Sequence, residues 1–310
     1  MLHITDTELR ASALSYAHVA DALEAAFGDL ARGEAAIHPR LRSACGHVRL
    51  ATMGALWPRH GLAGVKSYPT VDGRFGFALV LFELAANRPV ALIEGGELTR
   101  LRTAAMTAMV AARAARPDSR VLALFGCGQQ GRAQAEALLE RFALEEIRVV
   151  DPSPDIDWCD RLQAASGVRV RVVGAEAALR GADLVVTATR STTPVFDGRW
   201  LADDAFVAAI GTSTPSGREL DDETLARASR IVVEWRPQCV AEAGELVRWE
   251  RGRDLDKVVD LAQLFAGEAP WQPVAAGPTV FKSVGVGLAD VAAASAALAL
   301  LAPQLAREAA

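Results

Sequence analysis

The sequence is poor in cysteine, in aromatic residues and in long uncharged runs. Its four cysteines, spread over 310 residues, show no C-x-x-C spacing, which argues against a zinc site or a disulfide framework and favours a reducing cytoplasm. Aromatic residues make up only 6% of the chain. The start lacks a basic segment followed by an apolar one, so no secretory signal is expected. The late uncharged run 291–306 is too short for a membrane span and indicates a buried helix.

An excess of positive charge is also missing. The formal net charge is -5, and the basic residues are dispersed along the chain. This excludes nucleic acid and anionic membranes as the main partners and leaves a small molecule. The chain is 51% hydrophobic, enough to bury a large core, and its length favours two domains.

Hydrophobic periodicity divides the chain into two kinds of structure. An amphipathic helix, capped by Asp6 or Thr7, is followed over 38–94 by short strands typical of an antiparallel sheet, and then by a helix from Leu98 to about Ala115. From 121 to 235, six apolar strands alternate with helices, which predicts a doubly wound parallel sheet. After Pro270 the chain is expected to leave this sheet and end in a helix over 284–302.

The predicted fold class is therefore α/β, with a Rossmann doubly wound parallel sheet inserted into an α+β domain. The expected domains are 1–115 plus 280–310 for the α+β part, and 116–279 for the doubly wound sheet.

A glycine-rich turn opens the parallel sheet. Gly126, Gly128 and Gly131 match G-x-G-x-x-G between a strand and a helix, where the helix N-terminus attracts phosphates. The next strand ends in Asp151, suited to the hydroxyls of an adenine ribose. Because a carboxylate repels a 2′-phosphate and no arginine follows directly, NAD(H) is favoured over NADP(H).

Three basic residues lie where apolar neighbours do not predict them. Lys66 lies inside a strand, Arg102 lies on a helix rich in small residues, and Arg40 follows Pro39 at a strand entrance. Taken singly, each could be an ordinary surface cation, since a long basic side chain can bury its apolar stem while its charged end reaches water. Together they suggest a cage for a carboxylate. Neither H-E-x-x-H nor G-x-S-x-G occurs, so zinc-protease and serine-hydrolase chemistry find no support.

Several segments together resemble the ornithine cyclodeaminase/mu-crystallin family along nearly the whole chain. They are Pro39-Arg40, GVK (64–66), LTRLRTAA (98–105), GCGQQGRAQ (126–134), VVTAT (185–189), PVFDGRWL (194–201), AAIGTSTPSGREL (208–220) and FKSVGVGLADVAAA (281–294).

The resemblance implies a homodimer and assigns roles to individual residues. It implies that Arg40, Lys66 and Arg102 hold a substrate carboxylate and that Lys66 and Arg102 act in catalysis. Arg42, two positions after Arg40, is the alternative to Arg40 in the carboxylate site. The dinucleotide contacts that it implies, besides the glycines, are Gln129, Gln130, Asp151, Thr187 and Ser283.

One position departs from the cyclodeaminases. Their G-x-D-x-P segment carries an acid/base aspartate, whereas this chain has Ser213 there, in Gly211-Thr212-Ser213-Thr214-Pro215. A serine hydroxyl does not replace a carboxylate in proton transfer near neutral pH. The expected function is therefore NAD(P)H-dependent reduction of a cyclic imino acid, such as Δ1-pyrroline-2-carboxylate or its six-membered homologue, with Ser213 at the substrate.

Three alternatives remain open. They are ornithine cyclodeamination with another acid, alanine-type amino acid dehydrogenation, and non-catalytic NAD(P)H-dependent binding like that of mu-crystallin. The triad of cations favours an enzyme, because a binding protein has less need of it.

Overall fold

The structure, a computed structural model, describes residues 1–272 and 275–303. The chain forms two compact units, one made of residues 1–106 with the segment that begins at Gly285, and one made of residues 107–284. The boundaries fall at residues 106 and 284, against 115 and 279 in the prediction from sequence. Residues 304–310 of the expected first domain lie outside the described residues.

The first unit is built on a sheet of seven strands. The elements up to residue 114 are β1 (Leu2–Ile4), α1 (Asp6–Ala11), α2 (Tyr16–Ala31), β2 (Ala36–Cys45), β3 (Val48–Trp57), β4 (Leu62–Val71), β5 (Arg74–Phe75), β6 (Ala78–Glu83), β7 (Arg88–Glu94) and α3 (Gly95–Ala114). The strand order is β1-β7-β6-β4-β3-β2, with β5 paired to β4. Only the short β1 is parallel to its neighbour, and the central strands are antiparallel as the sequence predicts.

The first helix of the prediction is two helices. Thr5, not Asp6 or Thr7, caps α1 in a capping box with Glu8, and α1 ends at Ala11. Ser15 then accepts a hydrogen bond from the His18 backbone N–H and starts α2. The apolar periodicity continues across this break, which is why it predicts one helix, whereas a serine that satisfies helix-end N–H groups creates a new N-terminus.

The second unit contains a parallel sheet with helical crossovers. Its elements are β8 (Val121–Phe125), α4 (Gln129–Arg141), β9 (Glu146–Val150), α5 (Ile156–Ser166), β10 (Arg169–Val172), α6 (Ala175–Leu179), β11 (Leu184–Thr187), β12 (Phe206–Ala209), α7 (Asp222–Arg227), β13 (Arg230–Val233), α8 (Arg236–Glu242), α9 (Gly244–Val247), β14 (Val258–Asp260), α10 (Leu261–Phe265) and β15 (Thr279–Lys282). The order is β10-β9-β8-β11-β12-β15-β13-β14, all parallel.

The parallel sheet has eight strands where the sequence predicts six. The chain does not leave it after Pro270, because β15 returns and pairs with both β12 and β13. β14 has only three residues, too few for a recognisable pattern, and β15 is defined by pairing with two strands that precede it in the sequence, which no local pattern shows. The predicted Rossmann-type fold class is nevertheless the observed one.

The last described helix, α11 (Gly287–Leu301), belongs to the first unit and is buried as the sequence predicts. It packs on β3, β4 and α2. Glycine permits this approach, since a Cβ on Gly287 would lie 2.2 Å from the Gly54 carbonyl oxygen. The first turn of α11 is thereby held against the buried face of the sheet. In the described part of the chain, no helix is long and apolar enough to cross a membrane.

Candidate active site

Lys66 is the centre of a buried group of charges in the first unit. It pairs across the sheet with Met53 on β3 and Leu79 on β6, both buried, so strand alternation turns its side chain inward. Only 2% of the residue is exposed. Its Nζ donates to Thr99 Oγ1 at 2.6 Å and to Asp290 Oδ1 at 2.9 Å, and it lies 4.4 Å from the centre of the Phe77 ring.

Asp290 binds a second cation with the same oxygen. Arg102, buried on α3, donates its Nε to Asp290 Oδ1 at 3.1 Å. Asp290 stands in the first turn of α11, where the helix dipole favours a negative charge. Its other oxygen, Oδ2, is buried and accepts no hydrogen bond from the described residues. One carboxylate therefore joins β4, α3 and α11.

Arg40 completes the group through an irregularity of β2. The register shifts between His38 and Leu41, and this bulge places Arg40 on the buried face. Arg40 donates Nη2 to the Gly285 carbonyl at 2.8 Å. A Cβ on Gly285 would lie 3.0 Å from Arg102 Nη2 and 3.3 Å from Arg40 Nη2, so both guanidinium groups converge on this glycine.

Burial favours Arg40 over Arg42 as the arginine of the carboxylate site. Both lie on the same face of β2, but Arg42 is exposed near the edge of the sheet, whereas Arg40 is 9% exposed. Arg40, Lys66 and Arg102 are thus brought together with Asp290. We call these four side chains the cation cage.

Burial and neighbouring charges shift the acidities inside the cation cage. Burial lowers the pKa of Lys66 to about 8; Asp290 counteracts this effect, while Arg102 and Arg40 add to it. Burial alone would raise the pKa of Asp290, but the charges of Lys66, Arg102 and Arg40 hold it below its usual value. Asp290 is therefore ionised at neutral pH.

The glycine turn of the second unit lies between β8 and α4. Gly126 has a φ of +90°, which L side chains rarely adopt, and a Cβ on Gly131 would lie 1.8 Å from the Gly126 carbonyl oxygen. At Gly128, by contrast, a Cβ would meet nothing within 4 Å. Gln129 and Gln130 form the first turn of α4. The turn thus leaves open space in front of a helix N-terminus, which suits a pyrophosphate.

The carboxyl ends of β9 and β11 supply polar groups beside this turn. Asp151 follows β9 and accepts the backbone N–H groups of Cys127 at 2.9 Å and Ser153 at 2.8 Å. Burial would raise the pKa of Asp151, but these hydrogen bonds hold it below its usual value. Thr187 ends β11, and its buried Oγ1 has no hydrogen-bond partner among the described residues. An orphaned hydroxyl and an open glycine fit a bound dinucleotide.

Buried acids that the sequence does not single out support two further loops of the second unit. Glu219 accepts the Gly211 N–H at 2.8 Å and the Thr189 N–H at 2.7 Å. Lys282, fully buried, donates to the Thr212 carbonyl at 2.9 Å and pairs with Glu245 at 3.0 Å. These contacts flank Ser213. Glu219 and Glu245 lie in segments with other charged residues, which give no signal of burial, whereas Lys282 interrupts an apolar segment as Lys66 does, and this signal could have identified it.

Ser283 is held by another buried acid. Its Oγ donates to Glu234 Oε1 at 2.5 Å, and the Val284 N–H donates to the second oxygen of Glu234 at 2.9 Å. The predicted cofactor residue is therefore buried at the end of β15, with its hydroxyl proton committed to Glu234.

Known proteins with the same pattern identify the family. The pattern of the ornithine cyclodeaminase/mu-crystallin family matches residues 3–298. The chain belongs to this family. It is 31% identical over 220 residues to the ketimine reductase mu-crystallin of Mus musculus, an alignment that covers 70% of this chain and 67% of the mouse protein.

Solved structures extend the similarity over the whole chain. A probable ornithine cyclodeaminase from Bordetella pertussis Tohama I is 47% identical, with a TM-score of 0.94 and 98% of each chain covered. The Δ1-pyrroline-2-carboxylate reductase of Thermococcus litoralis, solved with NADH and L-proline, is 25% identical, with a TM-score of 0.89 and 96% of each chain covered. These similarities confirm the predictions of the family, of a nicotinamide cofactor and of an oxidoreductase that acts on carbon–nitrogen bonds.

The glycine turn gives a first prediction. Gly131→Ala forces a methyl group into the Gly126 carbonyl oxygen, so we expect a loss of stability of about 1–3 kcal/mol or more, seen as a lower Tm. Gly128→Ala is the matched control. Its φ of -70° suits alanine and its surroundings are open, so we expect an unchanged Tm but an NADH Kd weaker by about tenfold, because the methyl group fills the space for the pyrophosphate.

Thermal unfolding and fluorescence titration with NADH measure the two effects separately. A wild-type Tm in Gly131→Ala, or wild-type NADH binding in Gly128→Ala, would contradict this account of the turn.

Proposed function

We propose that the chain reduces a cyclic imino acid, Δ1-pyrroline-2-carboxylate or its six-membered homologue, to the cyclic amino acid, with NADH as the reductant. The observation that carries the proposal is the cation cage, in which Lys66 and Arg102 share the single carboxylate of Asp290 and a third buried cation, Arg40, binds the Gly285 carbonyl beside them. The carboxylate of the substrate would compensate the excess positive charge of the cation cage. The guanidinium groups of the cage are suited to bind it through bidentate hydrogen bonds.

The residues of the cation cage hold and orient the substrate. Arg40 and Arg102 converge on Gly285 and bind the carboxylate oxygens, while Lys66 adds a third positive charge. With the carboxylate fixed, the neighbouring C=N carbon loses much of its freedom to move. NADH, when bound, would supply the hydride for that carbon. Because the imine arrives protonated, no strong acid is needed, and positioning provides most of the acceleration.

The dinucleotide is held by the glycine turn and its neighbours. Gly126, Gly128 and Gly131 with Gln129 and Gln130 receive the pyrophosphate, and Asp151 receives the adenine ribose. Thr187 and Ser283 lie at carboxyl ends of strands, where such cofactors bind in doubly wound sheets. The ionised Asp151 repels a 2′-phosphate, which supports NADH over NADPH.

Ser213 separates this proposal from cyclodeamination. Ornithine cyclodeaminases oxidise an amine, expel ammonia and return the hydride, which requires a group that both accepts and donates protons. A reductase performs only the final hydride step on a ring that is already closed. Serine at position 213, which matches the acid/base aspartate of the cyclodeaminase segment, suits the shorter reaction. The similarity to a probable cyclodeaminase makes ornithine the second substrate to test. An archaeal alanine dehydrogenase solved with NAD, 27% identical with a TM-score of 0.89, makes alanine-type dehydrogenation the third reaction to test.

A direct assay tests the proposed reaction. We expect the purified protein to oxidise NADH rapidly with the five- or six-membered imino acid and to release negligible ammonia from L-ornithine, because Ser213 provides no carboxylate. Ser213→Ala retains the reductase activity for the same reason. Comparable turnover of ornithine would contradict the proposed division, and a preference for NADPH of about tenfold, or about 1.4 kcal/mol, would contradict the role of Asp151.

Removing a cation from the cage should weaken substrate binding. We expect Arg102→Ala and Lys66→Ala to cost about 2–5 kcal/mol in kcat/KM, mainly through KM, because each removes one partner of a buried charged hydrogen bond. Arg100→Ala is the matched control. Arg100 stands two positions before Arg102 on α3 but pairs with Glu97 outside the cage.

The same prediction has a pH signature. Lys66 must be protonated to attract a carboxylate, and its pKa lies at about 8, so kcat/KM of the wild type falls as the pH rises through this value. In Lys66→Arg the cation stays charged, so the part of the fall that belongs to residue 66 near pH 8 is absent and only the fall caused by deprotonation of the imine remains. Wild-type kinetics in the alanine variants would remove the residue concerned from the carboxylate site.

The outer face of the first sheet supports a homodimer. Residues of β2, β3, β4 and β6 that point away from α11 include no Asp, Glu, Lys or Arg, as the registers show. Several are large, apolar and exposed, among them Leu41, Leu50, Leu56, Val65 and Phe82. Apolar patches of this kind mark protein interfaces. We propose a second copy as the partner, since a continuous uncharged sheet face complements itself across a two-fold axis.

The dimer prediction is tested by placing charge on that face. We expect the double variant Leu50→Asp and Val65→Asp to be a monomer in size-exclusion chromatography with light scattering, because two carboxylates per copy would be buried. Ile156→Asp is the matched control, since Ile156 is equally exposed but begins α5 in the second unit. A monomeric wild type, or a dimeric double variant, would contradict the proposal.

A further inference from the structure

One oxygen of the cation cage has no structural task. Oδ1 of Asp290 accepts from both Lys66 and Arg102, which is enough to anchor the two cations. Oδ2 is buried and accepts nothing from the described residues, in a side chain that is 1% exposed. Leaving a buried charged acceptor without a donor costs free energy of about 1–3 kcal/mol or more. A ligand that brings a donor would recover that cost.

We propose that Asp290 Oδ2 accepts the N–H of the substrate nitrogen and so selects imino and amino acids over 2-oxo acids. This inference rests on the proposed function, because it places a nitrogen-bearing carboxylic acid in the cation cage. It adds a specificity-determining contact to the three cations that hold the carboxylate.

The connectivity of the substrate places its nitrogen near Asp290. In an α-imino acid, a single carbon separates the nitrogen from the carboxylate. The cations that bind the carboxylate, Lys66 and Arg102, are the same ones that bind Asp290 Oδ1. Anchoring the carboxylate on them therefore brings the adjacent nitrogen to the neighbourhood of Asp290, whose second oxygen lacks a donor.

Charge favours the same contact. A protonated imine is a cation, and Arg40, Lys66 and Arg102 would repel it if they acted alone. The ionised Asp290 offsets this repulsion and accepts a charge-assisted hydrogen bond. The carbonyl oxygen of a 2-oxo acid would instead set its lone pairs against Oδ2, with no proton between them. A site with a buried acceptor rejects the analogue that lacks the donor.

The reaction balances without proton transfer to Asp290. The hydride forms a C–H bond at the imine carbon, and the π electrons of the C=N bond become the nitrogen lone pair. The nitrogen keeps the proton with which it arrived, so Asp290 stays a carboxylate throughout. Its contribution is to stabilise and orient the protonated imine.

The experiment compares two ligands that differ in one group. L-Proline carries a protonated ring nitrogen, and (S)-tetrahydrofuran-2-carboxylate has an ether oxygen in its place. Their Kd values are measured by calorimetry on the full chain with NADH bound. We expect the wild type to bind L-proline about tenfold or more tighter than the ether, and Asp290→Asn to bind the two within about threefold of each other.

Glu97→Gln is the matched control. Glu97 is a buried acid on α3 that pairs with Arg100 and Arg10 outside the cation cage, so its loss should leave the preference for L-proline unchanged. Equal affinity of the wild type for the two ligands overturns the inference even if Asp290→Asn does not fold. A folded Asp290→Asn that keeps the wild-type preference overturns it as well.

Turnover separates this result from the proposed function. The binding measurement does not depend on turnover. If the protein prefers L-proline through Asp290 but reduces no cyclic imino acid, the proposed reaction is contradicted and the proposed contact is supported. Reduction of the imino acid by a wild type without the preference would do the reverse.

Discussion

The buried interaction of Asp290 with Lys66 and Arg102 is the constraint on which the first unit depends. It ties a strand in the middle of the sheet to α3 and to α11, across 224 and 188 positions of sequence. Two cations in an apolar interior are tolerated only with a counter-charge in hydrogen-bonding geometry. The helix that follows Gly285 is therefore a required layer of the first unit, because it brings the acid that the sheet and α3 lack.

This constraint explains what could be predicted from the sequence and what could not. Lys66 and Arg102 stand out because a charged residue interrupts an apolar pattern, and the structure brings both into the cage. Alternation could not separate Arg40 from Arg42, since both lie on one face; a bulge and the convergence of Arg40 on Gly285 distinguish them. Asp290 also interrupts an apolar run, but its partners Lys66 and Arg102 lie 224 and 188 positions away, so no local pattern pairs it with them.

The second unit shows the same contrast between local and distant signals. The glycine turn and Asp151 could be recognised in the sequence because they lie within 25 positions of each other and backbone sterics set the spacing of the glycines. The structure has the expected close approach at Gly131. The prediction omits β14 because three residues carry no period, and it omits β15 because this strand enters the sheet between two strands that precede it in sequence. Only long-range pairing defines such a strand.

The buried acids around Ser213 show how one scaffold can serve related reactions. Glu219 holds the backbone at Gly211, and Lys282, which pairs with Glu245, holds the backbone at Thr212, so the two residues that precede position 213 are fixed by buried charged side chains from other elements. Exchange of that side chain leaves these supports in place. A protein named as a reductase and one named as a probable cyclodeaminase share the fold of this chain closely, so the fold alone does not distinguish the two reactions.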